Sequence, residues 1–177
     1  MTNYRRAKSS GGTYFFTVNL ADRKRTTLVD EIDLLKQIVR EEMNAQPFEV
    51  NAMVVLPEHL HAIWTLPIDD ADFSGRWRRS KARLSAALPP GERRSASRQS
   101  KGERGIWQRR FWEHLIRNDL DLQRHVDYVH FNPVKHGHVR HVGDWPHSTF
   151  HQYVREGKYP IGWAGGEVID VDAGEIT

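Results

Sequence analysis

Two apolar stretches of strand period, Phe48 to Leu56 and His59 to Leu66, stand with only Pro57 and Glu58 between them. A connection that short cannot carry a crossover, so the two stretches must lie antiparallel in one sheet. The rest of the chain has to be built around this hairpin. Gly12 to Asn19 is rich in β-branched and aromatic residues and reads as a first strand. From Asp30 to Asn44 the apolar residues Ile32, Leu35, Ile38, Val39 and Met43 recur at three- and four-residue steps, the pattern of an amphipathic helix with Asp30 at its N-cap. After the hairpin, Phe73 to Leu88 reads as a basic helix with Phe73, Trp77, Leu84 and Leu88 near one side. Ile106 to Ile116 returns to strand chemistry. Asp119 then caps a helix from Leu120 to about Phe131, and Pro133 ends it. The order is β-α-β-β-α-β-α. Its first six elements suit an α+β fold, a ferredoxin-like antiparallel sheet with helices packed on one face.

At 177 residues the chain has the length of one domain, expected over 1–163, with a basic arm at 1–11, a flexible basic segment at 89–105 and an acidic tail at 164–177. No apolar run approaches the roughly 20 residues that span a bilayer, and no signal-peptide pattern follows the N-terminus. Cysteine is absent, which excludes disulfides and thiolate metal sites and accords with a cytoplasmic location. The balance of 26 Lys+Arg against 23 Asp+Glu hides an uneven distribution. Between Ala71 and Arg110 there are twelve Lys/Arg against three Asp/Glu, while the tail carries four acids and no base. A basic arm and a basic centre make a footprint for phosphates.

Two groups of residues carry possible chemistry. In Pro57-Glu-His-Leu-His61, residues two apart on a strand project from one face, so His59 and His61 point the same way and can hold a divalent ion between them. Leu60, Ala62 and Trp64 then face the opposite side, under the helices. In His125-Val-Asp-Tyr-Val-His-Phe-Asn-Pro-Val-Lys-His-Gly137, Tyr128 and Asn132 are four residues apart on a helix and share a face. They can supply a nucleophile and a third ligand, or equally bury a ring and cap a helix end. His114, His125, His130 and His136 read by default as surface or helix-end residues, with His125 the candidate for an accessory role because it sits three residues before Tyr128.

These segments together resemble the HUH single-tyrosine transposases and, within them, the REP-associated tyrosine transposases. The resemblance runs in order through Tyr4-Arg-Arg, Gly11-Gly-Thr-Tyr-Phe-Phe-Thr-Val-Asn19 and Pro57-Glu-His-Leu-His61. It continues through Gly105-Ile-Trp-Gln-Arg-Arg-Phe-Trp-Glu-His114, Tyr128-Val-His-Phe-Asn-Pro-Val-Lys-His-Gly137 and Asp144-Trp-Pro-His-Ser-Thr-Phe150. Only the acidic tail from Ala164 falls outside it. The resemblance implies that His59, His61 and Asn132 bind Mg²⁺ or Mn²⁺ and that Tyr128 attacks single-stranded DNA beside a palindromic hairpin, leaving a 5′-phosphotyrosine. It implies a tyrosine helix laid beside the histidine strand, in a monomer or a homodimer. For DNA, clustering nominates Tyr4, Arg5, Arg6 and Lys8 for the bases flanking the hairpin. Arg76, Arg78, Arg79, Lys81 and Arg83 are nominated for its phosphates, with Arg109 and Arg110 as further candidates and Trp77 as a base-stacking or core residue. Two rival readings remain. One is a nucleic-acid-binding module, which does not need Tyr128 and Asn132 in register with a histidine pair. The other is a metal-dependent hydrolase that uses water, against which the shortage of nearby carboxylates counts.

Overall fold

The computed structural model of the protein describes residues 8–165 and 171–174. Four strands, β1 (Thr13–Asn19), β2 (Glu49–Val55), β3 (His59–Thr65) and β4 (Trp112–Leu115), form one sheet in the order β2-β3-β1-β4. Every neighbouring pair is antiparallel. The helices are α1 (Thr27–Asp30), α2 (Ile32–Ala45), α3 (Phe73–Ala87), α4 (Ala96–Gln99), α5 (Asp119–Lys135) and α6 (Phe150–Arg155). This is the ferredoxin-like arrangement expected from the element order, with two helices crossing one face of the sheet.

Strand period explains how the sheet divides into two faces. Tyr14, Phe16 and Val18 of β1 and Leu60, Ala62 and Trp64 of β3 point to one side. There they pack with Leu35, Ile38 and Val39 of α2 and Phe73, Trp77 and Leu84 of α3. Trp64 and Trp77 stack with centroids 4.1 Å apart, which makes Trp77 a core residue. The alternate residues, Phe15 of β1, Ala52 and Val54 of β2 and Ile63 of β3, form a second core with Val126, Tyr128 and Val129 of α5 and Phe150 of α6. The tyrosine helix therefore covers the face opposite the two crossover helices. The exposed edge of β2 is blunted by the segment before α6, where the Val55 amide donates to the His147 carbonyl and the Thr149 amide to the Met53 carbonyl, both at 2.9 Å.

Helix ends depart from the expected boundaries in three places. Asp30 lies in α1 rather than capping the long helix, which starts at Ile32. Asn118, not Asp119, caps α5, accepting from the Asp121 amide at 2.9 Å. Pro133 does not end α5, which runs on to Lys135. Its stop is Gly137 in the left-handed region (φ 72). The Gly137 amide donates to the Val134 carbonyl at 3.0 Å and the His138 amide to the Pro133 carbonyl at 2.9 Å, closing the last turn. The basic segment at 89–105 carries α4 and is tied to α3 by Arg104, which donates to the carbonyls of Ser85, Leu88 and Pro89 and pairs with Glu92.

His125 and His130 are buried rather than on the surface. His130 is ringed by Phe150, Tyr153 and Tyr159. Burial pushes its pKa down to about 3, from an ordinary value near 6.5. A histidine kept neutral by folding contributes stability that is complete above its unfolded pKa and lost as pH falls toward the folded one. The free energy of unfolding is therefore expected to fall between pH about 6.5 and about 3, and a His130→Gln protein to show a shallower slope there in denaturant titrations. Equal slopes in the two proteins would remove His130 as the cause.

Candidate active site on the sheet face beneath the tyrosine helix

His59 and His61 project from β3 toward α5, opposite Asn19 and Thr17 of β1, and both are fully buried. Their ring centroids are 4.9 Å apart. The ring of Tyr128, 3% exposed, lies edge-on to His61 at 5.3 Å and to Phe15 at 6.0 Å. Further along the helix, His136 stands 5.1 Å from His59, centroid to centroid. Asn132, also fully buried, is midway between Tyr128 and His136 on the same side of the helix. It is thus bracketed over the two strand histidines.

The neighbours of the two histidines fix which nitrogen carries the proton. His59 Nδ1 lies 2.8 Å from Glu58 Oε1. Burial opposes ionisation of Glu58, but the hydrogen bond with His59 and the Arg23 guanidinium at 3.3 Å overcome it and hold the carboxyl at about 2. An ionised carboxylate only accepts, so His59 donates through Nδ1 and carries its lone pair on Nε2. For His61 the partner is Thr17, whose Oγ1 is 2.9 Å from Nδ1. That hydroxyl spends its one proton on the Ala173 carbonyl at 2.6 Å, so it accepts from His61, which also carries its lone pair on Nε2. Two imidazoles, each with its lone pair on Nε2, and the buried carboxamide of Asn132 on the helix above them are groups of the kind that could hold a divalent cation. The backbone of 171–174 lies beside this site, held also by the Trp112 indole donating to the Asp172 carbonyl at 3.1 Å.

Three residues of the site escaped the sequence reading. Glu58 and Thr17 orient the histidines. Lys135 donates to the Tyr128 hydroxyl at 2.8 Å, with its Nζ 4.6 Å from the centre of the phenol ring. The signal available for Lys135 was Gly137, a helix-stop residue placed after Lys135 rather than before it.

The DNA candidates scatter. Tyr4, Arg5 and Arg6 lie outside the described residues, and Lys8 is exposed. Arg76 is not a surface cation. It is 1% exposed, and its guanidinium is consumed by the Gln46, Asp72 and Pro47 carbonyls and the Asp70 carboxylate at 2.5 Å. Arg79 pairs with Glu42 at 2.7 Å and Arg83 with Glu41. Arg78 and Arg110 are exposed, and among the described residues they form no ion pair. Arg78, Lys81, Arg98, Arg104 and Arg109 line an open groove of about 820 Å³ floored by Trp107 and Phe111, between α3 and the segment leading to β4. Lys81 donates there to the Gln108 carbonyl at 2.7 Å, and Arg109 pairs with Glu103 at 2.8 Å. No helix among the described residues is long and apolar enough to cross a membrane.

No family model matches the chain. Individual proteins do. The chain is 50% identical over 175 residues to the REP-associated tyrosine transposase of Escherichia coli (strain K12), an alignment covering 99% of this chain and 98% of that one. It is 45% identical over 166 residues to a putative REP-associated tyrosine transposase of Haemophilus influenzae, covering 93% and 94%. Among solved structures, a REP-associated tyrosine transposase bound to a REP hairpin superposes with a TM-score of 0.85 at 48% identity, over 100% of this chain and 99% of the other. With half its residues shared across nearly its whole length, the chain belongs to the REP-associated tyrosine transposases.

Proposed function

We propose that the protein nicks and rejoins single-stranded DNA beside a palindromic hairpin, with Tyr128 as the nucleophile and His59, His61 and Asn132 as ligands of a Mg²⁺ or Mn²⁺ ion. The observation that carries this reading is the phenol of Tyr128, packed against His61 and hydrogen-bonded to an ammonium group directly above the histidine pair. The phenol gives up its proton to solvent, and its oxygen attacks the phosphorus in line. The P–O bond to the 3′ oxygen breaks, that oxygen takes up a proton, and DNA stays on the protein as a 5′-phosphotyrosine. Attack by a second 3′-hydroxyl reverses the step and joins a new strand without ATP. Lys135 stabilises the phenolate as nucleophile and again as leaving group. The cation, when bound, supplies positive charge against a non-bridging phosphate oxygen and the leaving 3′ oxygen. The groove beside α3, with Arg78, Lys81 and Arg109, and the arm with Tyr4, Arg5, Arg6 and Lys8 are assigned to the hairpin and its flanking bases, with Arg110 beside them. Support comes from the hairpin-bound relative and from the groove's charge.

The test is incubation with Mn²⁺ or Mg²⁺ and end-labelled single-stranded hairpins from the flanks of the gene, followed by a denaturing protein gel. Label is expected on the protein, on the peptide that contains Tyr128. Cleavage with no adduct would instead identify a water-using hydrolase, and tight binding with neither would identify a binding module.

The orientation of His59 has its own consequence. In Glu58→Ala the imidazole loses the acceptor that fixes its tautomer, so Mn²⁺ affinity is expected to fall about 10- to 100-fold by calorimetric titration. Glu58→Gln, whose amide oxygen still accepts, should keep most of it. Unchanged affinity in Glu58→Ala would show that Glu58 does not orient the ligand.

A further inference from the structure

A row of rings leads away from the strand histidines, past the end of α5. Between ring centroids, His136 stands 5.1 Å from His59, His138 6.4 Å from His136 and Trp145 5.3 Å from His138. Over the last two steps the ring planes differ by only 35° and 34°. His136 and His138 are exposed, and Trp145 is half-buried. The helix stop at Gly137 places His138 in the row, its amide tied to the Pro133 carbonyl at 2.9 Å. Trp145 is fixed as well, since its indole donates to the Val55 carbonyl at 3.0 Å. The chemistry assigned to Tyr128, Lys135 and the strand histidines uses neither His138 nor Trp145.

The row ends at a second groove. The ring of His147 lies 5.6 Å from that of Trp145, and His147 lines an open cavity of about 530 Å³ between α2 and α6. The cavity runs along β2, the edge strand farthest from β4. Leu35, Val39 and Met53 contribute apolar wall, while the charged lining is Lys36, Arg40 and Arg155, with no Asp or Glu. All three cations are exposed, and among the described residues none of them forms an ion pair. On α3, by contrast, Arg76, Arg79 and Arg83 are each met by an acid of the fold. Like charges left without counter-charge on one rim attract a polyanion.

Surface rings in line with a cationic groove suit a single strand of nucleic acid, whose bases stack on the rings while its phosphates meet the cations. A duplex offers the rings no base face, since its bases stack on one another. We propose that His136, His138 and Trp145, leading into the groove of Lys36, Arg40 and Arg155, hold the single strand of DNA that continues past the scissile phosphate, away from the hairpin. The assignment rests on the reading that the strand is cut at Tyr128. It gives the DNA two directions from the site, with the hairpin on the side of α3 and β4 and the continuing strand across β2.

The experiment measures binding without chemistry. Full-length protein in EDTA is titrated, by fluorescence anisotropy, into a hairpin from the flank of the gene, either bare or extended at its 5′ or 3′ end by about 12 unpaired nucleotides. Extension at one end is expected to tighten binding at least about tenfold, and His138→Ala to remove about fivefold of that gain. Lys36→Gln with Arg40→Gln and Arg155→Gln should lower the salt slope for the extended hairpin by about 2, at about 0.7 for each cation. Affinity for the bare hairpin should not change in either variant. An extension that adds nothing to wild-type affinity overturns the proposal, as does a gain that both variants keep in full. Equal losses on bare and extended hairpins also overturn it, because the groove would then hold the stem. Trp145→Ala removes a packed indole and can disturb the fold, so 5-iodouracil in the extension locates the strand on the wild-type protein instead. Photocrosslinks are expected on the peptide that contains Trp145, and crosslinks confined to the groove beside α3 would overturn the track. Since no cleavage is read, the adduct assay stays separate. An adduct without an extension effect removes the track and leaves the nicking reading. An extension effect without an adduct removes that reading and leaves a binding protein with its track.

Discussion

A Tyr128→Phe protein is expected to bind its hairpin as wild type does and to carry no DNA through denaturation. Phenylalanine keeps the ring that packs on His61 and Phe15 and removes only the oxygen. The folding cost includes the hydrogen bond from Lys135, about 0.5–1.5 kcal/mol. The rate of adduct formation, by contrast, should drop at least about 10³-fold, some 4 kcal/mol or more of activation free energy, because no other nucleophile replaces the phenol oxygen. Single-turnover assays on labelled hairpin, with affinity measured in parallel, separate the two quantities. A Tyr128→Phe protein that still becomes labelled would move the nucleophile elsewhere. One that still nicks but stays unlabelled would make water the nucleophile. His59→Ala with His61→Ala should also lose the adduct, and that loss should not respond to added Mn²⁺.

What the sequence disclosed of this site follows the periodicities. On β3 the period is two, and both faces of the strand are buried. The direction of His59 and His61, and of Leu60, Ala62 and Trp64 against them, follows from spacing alone. On helices the reading failed where one residue type carried two meanings. Pro133 looked like a terminator, yet in the last turns a proline forfeits only one backbone bond, and the helix ran on to the stop at Gly137. That extra turn is what brings Lys135 and His136 over the site. Arg76 looked like one of a run of surface cations. It stands three residues after Phe73 and four before Ser80, on the buried stripe that also holds Trp77 and Leu84. The stripe was visible, but the Asp70 carboxylate and the Gln46 and Pro47 carbonyls that make the position habitable for a guanidinium come from other parts of the chain. His125 and His130 follow the same logic, since they lie on the stripe of α5 that includes Val126 and Val129. Glu58 and Thr17 were not legible as site residues at all, because their roles depend on strand register and on the backbone at Ala173.

Lys135→Met is expected to slow adduct formation about 10²-fold while leaving hairpin affinity nearly unchanged. Methionine matches the length of the lysine stem and removes its charge, so the loss measures what the ammonium does for the Tyr128 oxygen 2.8 Å away. A positive donor favours the phenolate over the phenol. With it gone, the anion forms only at higher pH, so the rising limb of the pH–rate profile should move to the alkaline side and the deficit should shrink as pH increases. Lys135→Arg, which keeps a cationic donor at the end of a long stem, should recover most of the rate, with some loss because a planar fork does not place its charge as an ammonium does. The competing account is that Lys135 merely holds a DNA phosphate. In that case the deficit would be the same at every pH, would vanish at saturating hairpin, and would weaken with added salt as a backbone contact does. A pH-dependent deficit that persists at saturation belongs to the phenol. A pH-independent one that saturation abolishes would take Lys135 out of the chemistry and leave Tyr128 to be activated by the site beneath it.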